Sequence, residues 1–157
     1  MSQTQEFVNH PENTLSSISF QQKSTALSLI ITGSATAYYF ANMWPMRSVA
    51  LANDVIPAGF GSLVLNTVIL IILAQIALQI VLVFGSGVAA APTEHEKTAV
   101  LKAKRNAYGV LTFGVFAAIG SVFLEELTPF CTANLAILGF ALAEIVKYVS
   151  QLFYARR

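Results

Sequence analysis

The sequence is poor in charge. Asp, Glu, Lys and Arg make up 11% of its 157 residues, against roughly a quarter in an average soluble domain, while 55% of the chain is hydrophobic. A chain of that composition lacks the polar surface needed to fold as a globule in water. The formal net charge is +1 and no segment has the density of basic residues that marks a nucleic-acid footprint, so no nucleic-acid partner is expected. Cysteine occurs once, as Cys131, which excludes an internal disulfide and suits a small packing residue. The two histidines, His10 and His95, lie outside the apolar runs, which argues against a haem bundle. His95 between Glu94 and Glu96 offers too few ligands for a metal. No Ser-His-Asp set and no phosphate-cradling glycine loop is present. No metal, no cofactor and no enzymatic reaction are therefore expected.

What the chain does have is long apolar runs. Ser24 to Met46, Ala58 to Gly87, Asn106 to Leu124 and Phe130 to Phe153 are nearly free of charge. Each is near or above the roughly 17 to 25 residues that a helix needs to cross a bilayer. The sequence thus predicts an all-α membrane protein with a polar N-terminal tail over 1–22 and a domain of four transmembrane helices over 23–157. The spans fall at 24–46, 58–84, 106–124 and 130–154, with a loop over 85–105. The tail lacks the basic start and short apolar core of a cleaved signal peptide, so the first span reads as an anchor that is kept. Residues 1–13 read as a mobile tail, with room for a short interfacial helix from Asn13 or Thr14.

Small and polar residues recur along the runs. Gly33, Ala37 and Ala41 stand at spacing four, as do Gly114 with Ala118 and Gly139 with Ala143, a pattern that lets helices approach closely. Ser28, Thr32 and Thr36 form a hydroxyl seam beside the first of these stripes, suited to packing. Gln75 and Gln79 share one face of the second run and Asn66 lies about half a turn round from them. Amides in hydrocarbon need partners, so both faces are expected to meet protein.

A charged stretch, Pro92 to Tyr108, separates the two pairs of runs. Thr93 and Glu96 form a T-x-x-E capping box, and Glu94 adds negative charge at the positive end of the helix dipole. A helix is expected to start at Thr93, lie on the membrane surface with Lys97, Lys102, Lys104 and Arg105 among the headgroups, and lead into the third run. Lys23, this cluster, Lys147, Arg156 and Arg157 fall on one side, with Arg47 alone on the other. The positive-inside rule then puts both termini and the interfacial helix in the cytoplasm. Lys23 to Gly33 aligns with Lys104 to Gly114, and Leu73 to Phe84 with Leu142 to Phe153, which sets Gln75 opposite Glu144. This pattern predicts a tandem repeat of two spans, parallel about an axis along the membrane normal.

Glu144 is the sharpest candidate for chemistry, since an ionisable group inside an apolar run is a functional hypothesis by default. It is expected to pair with Lys147, one turn on, or with Gln75. Glu144, Lys147, Gln75 and Gln79 form the candidate intramembrane polar site. Thr93, Glu94, Glu96, Lys102, Lys104 and Arg105 form the candidate cytoplasmic contact surface.

Thr93 to Tyr108 resembles the loop motif of a family of small prokaryotic membrane proteins of uncharacterised function. In that motif an Asp-Glu-Arg-Glu-like element runs through a Lys-Ala-rich amphipathic stretch into a transmembrane helix. Thr93 stands where the motif has its first acid and His95 where it has arginine. Val146 to Arg157 is similar to the ending of the same proteins, an apolar helix finishing in Tyr and basic residues. The resemblance implies a multi-pass inner-membrane protein and no particular reaction. The first functional expectation is an accessory, sensor or regulatory subunit without enzymatic chemistry that sits in the lipid bilayer and acts through protein contacts, with copies of itself or another membrane protein as partner. The alternative is an oligomeric transporter or channel for a small molecule or ion, using Glu144 and the in-span amides.

Overall fold

The computed structural model describes residues 20–86, 93–124 and 127–155. Five helices form among them: α1 (Phe20–Met43), α2 (Met46–Asn53), α3 (Phe60–Ser86), α4 (Glu94–Ser121) and α5 (Pro129–Ala155). Residues 1–19 of the expected tail, with the short interfacial helix expected from Asn13 or Thr14, residues 87–92 of the expected loop, Glu125 and Glu126 between the third and fourth expected spans, and Arg156 with Arg157 lie outside the described residues.

The expected count of four membrane-spanning helices is corrected to two. Among the described residues only Phe60–Phe84 and Pro129–Ala155 are long and apolar enough to cross a membrane. The first expected span fails because Ser24, Thr25, Ser28, Thr32, Ser34, Thr36 and Asn42 lower its hydropathy. The third fails because α4 is one continuous helix that begins with its charged residues. What remains after Arg105, Asn106 to Ser121, is shorter than the roughly 17 to 25 residues a span requires. The assignment of both termini to the cytoplasm and the two-span repeat were counted from four spans, and they go with them. The helix expected to start at Thr93 and lead into the third run is α4 itself. Between the first two expected spans, most of 47–57 is α2.

Polar contacts set the helix directions. Ser28 Oγ donates to Gln75 Oε1 at 3.0 Å and Gln79 Nε2 to Ser24 Oγ at 3.4 Å, so α1 and α3 are antiparallel. Tyr39 Oη donates to Asn134 Oδ1 at 2.8 Å, and Gln22 Nε2 to the Ala155 carbonyl at 3.1 Å, so α1 and α5 are antiparallel too. Asn106 Nδ2 donates to Tyr154 Oη at 3.1 Å near one end of the α4–α5 pair, and Ser121 meets Thr132 at 3.0 Å near the other. Hence α3 and α5 run one way, and α1 and α4 the other.

The α4–α5 pair is the most extensive helix packing in the chain. Its seam on α4 is Ala99, Ala103, Ala107, Gly114, Ala118 and Ser121, all buried, and on α5 it includes Gly139 and Ala143. Gly114 and Gly139 face each other so closely that a Cβ on Gly114 would lie 2.7 Å from Gly139 Cα. The predicted Gly114–Ala118 and Gly139–Ala143 pairs are thus where the backbones approach. The Gly33, Ala37 and Ala41 stripe is not: Ala37 and Ala41 are exposed and a Cβ on Gly33 would meet nothing within 4 Å. The buried side of α1 is Thr25, Ser28, Thr32, Ala35, Tyr39 and Met43, which is the hydroxyl seam and its continuation.

One apolar cluster closes the end of the bundle where α1 finishes and α3 and α5 begin. It comprises Tyr39, Met43, Ala50, Phe60, Leu63 and Phe130. The rings of Phe60 and Phe130 meet edge to face with centroids 5.0 Å apart. The short helix α2 brings fully buried Ala50 across this end. Its C-cap Asp54 takes a left-handed conformation (φ 48°), and Gly59 takes another (φ 85°) just before α3. Those two residues let the chain reverse in so short a space.

Candidate functional site

Below that cluster α3 and α5 share no extensive packing, while α1 packs against both. The space left is a cavity of about 420 Å³ bounded by α1, α3 and α5. Its walls are mostly aliphatic and aromatic: Val64, Val68, Ile71, Ile72, Ile76, Ile137 and Phe140, with Tyr39 and Phe40 toward the closed end. Five groups besides the tyrosines break that apolar lining with acceptors or donors, among them Thr67 of α3, whose hydroxyl donates to the Leu63 carbonyl at 2.8 Å. Thr32 and Thr36 come from α1, Gln75 from α3, and Glu144 from α5, with Tyr148 one turn beyond.

Each polar group arrives there for a local reason. Thr32 lies on the buried side of α1, and Thr36, one turn on, is half-buried beside it. Gln75 is turned toward α1 by the hydrogen bond it accepts from Ser28, a contact worth on average ~0.6 kcal/mol between helices in a bilayer. Glu144 follows buried Ala141 and Ala143, whose small side chains leave room beside it. Lys147 Nζ pairs with Glu144 Oε2 and also sits 4.4 Å from the centre of the Tyr148 ring. Both members of the ion pair are partly exposed, at 25% for Lys147 and 29% for Glu144, so the pair is not sealed from its surroundings.

The structure therefore brings Glu144 and Gln75 to one cavity. Of the other two candidates in that group, Lys147 reaches it only through its carboxylate partner, and Gln79 lies exposed a turn away on Ser24. Asn66 is exposed, so only the glutamine face of α3 finds protein partners among the described residues. The cavity itself was not legible beforehand. Its signal in the sequence was the coincidence of Thr32, Thr36, Thr67, Gln75 and Glu144, five polar residues in otherwise apolar runs.

The charged stretch behaves as a helix start. Thr93 Oγ1 accepts from the Glu96 amide at 3.2 Å, and the Thr93 amide donates to Glu96 Oε2 at 2.9 Å, completing the capping box. Glu94 pairs with Lys97 at 2.7 Å. Lys102 Nζ lies 5.8 Å from the centre of the Tyr154 ring on α5. Lys104 and Arg105 are exposed. The alanine stripe Ala99, Ala103 and Ala107 under these charges was missed in the sequence, although its spacing of four is the one that marks close helix packing. Among the described residues no group of three or more His, Cys, Asp or Glu could hold a metal ion.

No family model matches this chain, and no curated protein or solved structure matches it either.

Proposed function

We propose that this chain is an integral membrane protein that binds a small, largely apolar molecule in the cavity between α1, α3 and α5, and that it acts as a carrier or sensor subunit without chemistry of its own. The observation that carries the reading is the cavity. Its volume, about 420 Å³, lies within the range of roughly 300 to 1,000 Å³ typical of small-molecule sites, and its few polar groups converge on one apolar space. Membrane residence is supported by where the apolar surface lies. A core helix of a soluble protein would be mostly covered, whereas 6% of the apolar window of α3 and 17% of that of α5 is buried. The resemblance of Thr93 to Tyr108 and of Val146 to Arg157 to a family of small prokaryotic membrane proteins supports a multi-pass protein of the inner membrane. Carrier action calls for a second copy or another membrane protein beside it, because a bundle this small does not enclose a through-pathway.

The test is native mass spectrometry of the protein extracted from its own membrane in a mild detergent, with Ile72→Trp as the filled-cavity control. Ile72 lines the cavity and is half exposed, so the larger ring can be accommodated by the fold. A bound small molecule that is lost from the variant supports the reading. An empty protein that also fails to take up an apolar fluorophore rejects it.

A second reading, an accessory subunit docking through the start of α4, is favoured by the exposed cations Lys97, Lys102, Lys104 and Arg105 on one capped helix. Reversing the last three while the protein still inserts is expected to release a bound partner protein. Retention of the partner counts against that surface.

A further inference from the structure

We infer that the cavity selects a lipophilic organic cation, with the Glu144 carboxylate as its counter-ion and Lys147 as the internal cation the ligand competes with. This rests on the reading of the cavity as a binding site and names the class of molecule that would fill it. Three observations carry it.

First, the charge in the lining has one sign. Glu144 is the acid among the lining residues and no Lys, Arg or His is among them, so the ammonium of Lys147 approaches the carboxylate from outside the cavity wall. An anion entering this space would meet an apolar lining and one carboxylate. A neutral apolar molecule would gain nothing from Glu144. A cation with an apolar body satisfies both the walls and the acid.

Second, the carboxylate has capacity to spare. Lys147 engages Oε2, and an ionised carboxylate has about four acceptor sites over its two oxygens. In the same position the Lys147 ammonium lies 4.4 Å from the centre of the Tyr148 ring, so Glu144 is not its sole support. A ligand cation can therefore engage Glu144 while Lys147 stays over Tyr148 or extends outward on its flexible stem.

Third, the walls offer aromatic faces. Tyr39, Phe40, Phe140 and Tyr148 all line the cavity. Aromatic faces attract delocalised or alkylated cations, whose hydration is weak enough to be given up on entering an apolar site.

The experiment measures equilibrium binding of tetraphenylphosphonium and tetraphenylborate to the full chain in nanodiscs, with empty nanodiscs subtracted. The two probes have similar bulk and opposite charge. The wild-type protein is expected to bind the phosphonium and to prefer it over the borate by about tenfold or more, since an opposite charge a few ångströms away is worth at least that much at the effective dielectric of a protein site. Glu144→Gln is expected to abolish that preference while either probe still competes with an apolar fluorophore for the cavity. Lys147→Gln is expected to tighten phosphonium binding several-fold, because it removes the competitor and leaves the acid in place. Equal affinity of the wild-type protein for both probes, or a preference that survives in Glu144→Gln, overturns the assignment of a cation while leaving the cavity as a binding site. Should Glu144→Gln not fold, Lys147→Gln decides, and unchanged or weaker phosphonium binding there overturns the proposal. Failure of both probes and of the fluorophore to bind the wild-type protein rejects the underlying reading of the cavity as well. Native mass spectra separate a free cation from a membrane lipid carrying an ammonium head. A co-purified lipid that the phosphonium does not displace overturns the proposal.

Discussion

Replacing Gly114 with Ala is the most direct test of how the bundle is held. A Cβ at this position would lie 2.7 Å from Gly139 Cα and 3.4 Å from the Gly139 carbonyl carbon. Carbon atoms in favourable contact sit at about 3.5 to 4.0 Å, so α4 and α5 must move apart by on the order of 1 Å where they cross. Neither obstacle is a side-chain end that can swing away, and the parting loosens the contacts of Ala118 and Ala107 along the same seam. Overpacking of this kind costs about 1 to 3 kcal/mol. Opposing it, Ala is better than Gly inside a helix by about 0.8 to 1.0 kcal/mol. Gly33→Ala isolates that opposing term, because its new Cβ meets nothing within 4 Å. The difference between the two variants cancels the propensity gain and leaves the cost of the clash, about 1 to 3 kcal/mol against Gly114→Ala. Reversible unfolding in mixed micelles of rising dodecyl sulfate fraction, followed by circular dichroism, reads this difference as a shift in midpoint. Equal midpoints for the two variants would refute the close approach of α4 and α5.

Thr93→Ala removes the hydroxyl that caps α4 and is expected to cost about 0.5 to 2 kcal/mol, seen as faster amide exchange in the first turn of α4 with the rest of the bundle unchanged. Gly59→Ala places a side chain at φ 85°; a loss of about 1 to 2 kcal/mol in thermal stability is expected from the left-handed conformation alone. Tyr39→Phe keeps the ring in the apolar cluster but removes the 2.8 Å hydrogen bond to Asn134. It should lower the unfolding free energy by about 0.5 to 1.5 kcal/mol, and a variant as stable as the parent would show that this bond adds nothing to holding α1 on α5.

The parts of this fold legible in the sequence are those governed by local chemistry. Thr93 and Glu96 stand three apart, and their reciprocal hydrogen bonds need nothing beyond one helical turn, so the capping box followed directly from the residues. The glycines at 114 and 139 marked close packing because only backbone without a Cβ permits it. Gly33 carries the same mark and does not pack, since spacing along one helix says nothing about which side its neighbours occupy. The span count failed for a related reason. Freedom from charge was read as apolarity, whereas the hydroxyls of α1 are polar enough to lower it and are buried against other helices rather than presented to lipid. The cavity depends on α3 and α5 diverging beyond Phe60 and Phe130, a tertiary fact with no local signature. Sequence reading singled out Glu144 and grouped it with Gln75, but no local pattern marks the apolar space the two share.

The two helix pairs are held by different means, and this bears on what Glu144 is for. Between α4 and α5 the contact is backbone against backbone at Gly114 and Gly139, which fixes the distance between their axes. Between α1 and α3 the polar contacts are Ser28 with Gln75 and Ser24 with Gln79, side-chain bonds of ~0.6 kcal/mol each. The α5 wall of the cavity, which carries Glu144, is therefore backed by the α4 backbone, while the α3 wall is backed by side-chain contacts with α1. An ion pair that served to bind the bundle together would join two helices. Glu144 and Lys147 are three residues apart on the same helix, so their pairing ties α5 to nothing. Such a pair near a surface contributes only about 0.2 to 0.5 kcal/mol to its helix, which is too little to account for an acid in an apolar wall. Its place on the wall that α4 backs suits the proposed binding role, a charge held in position beside an apolar space.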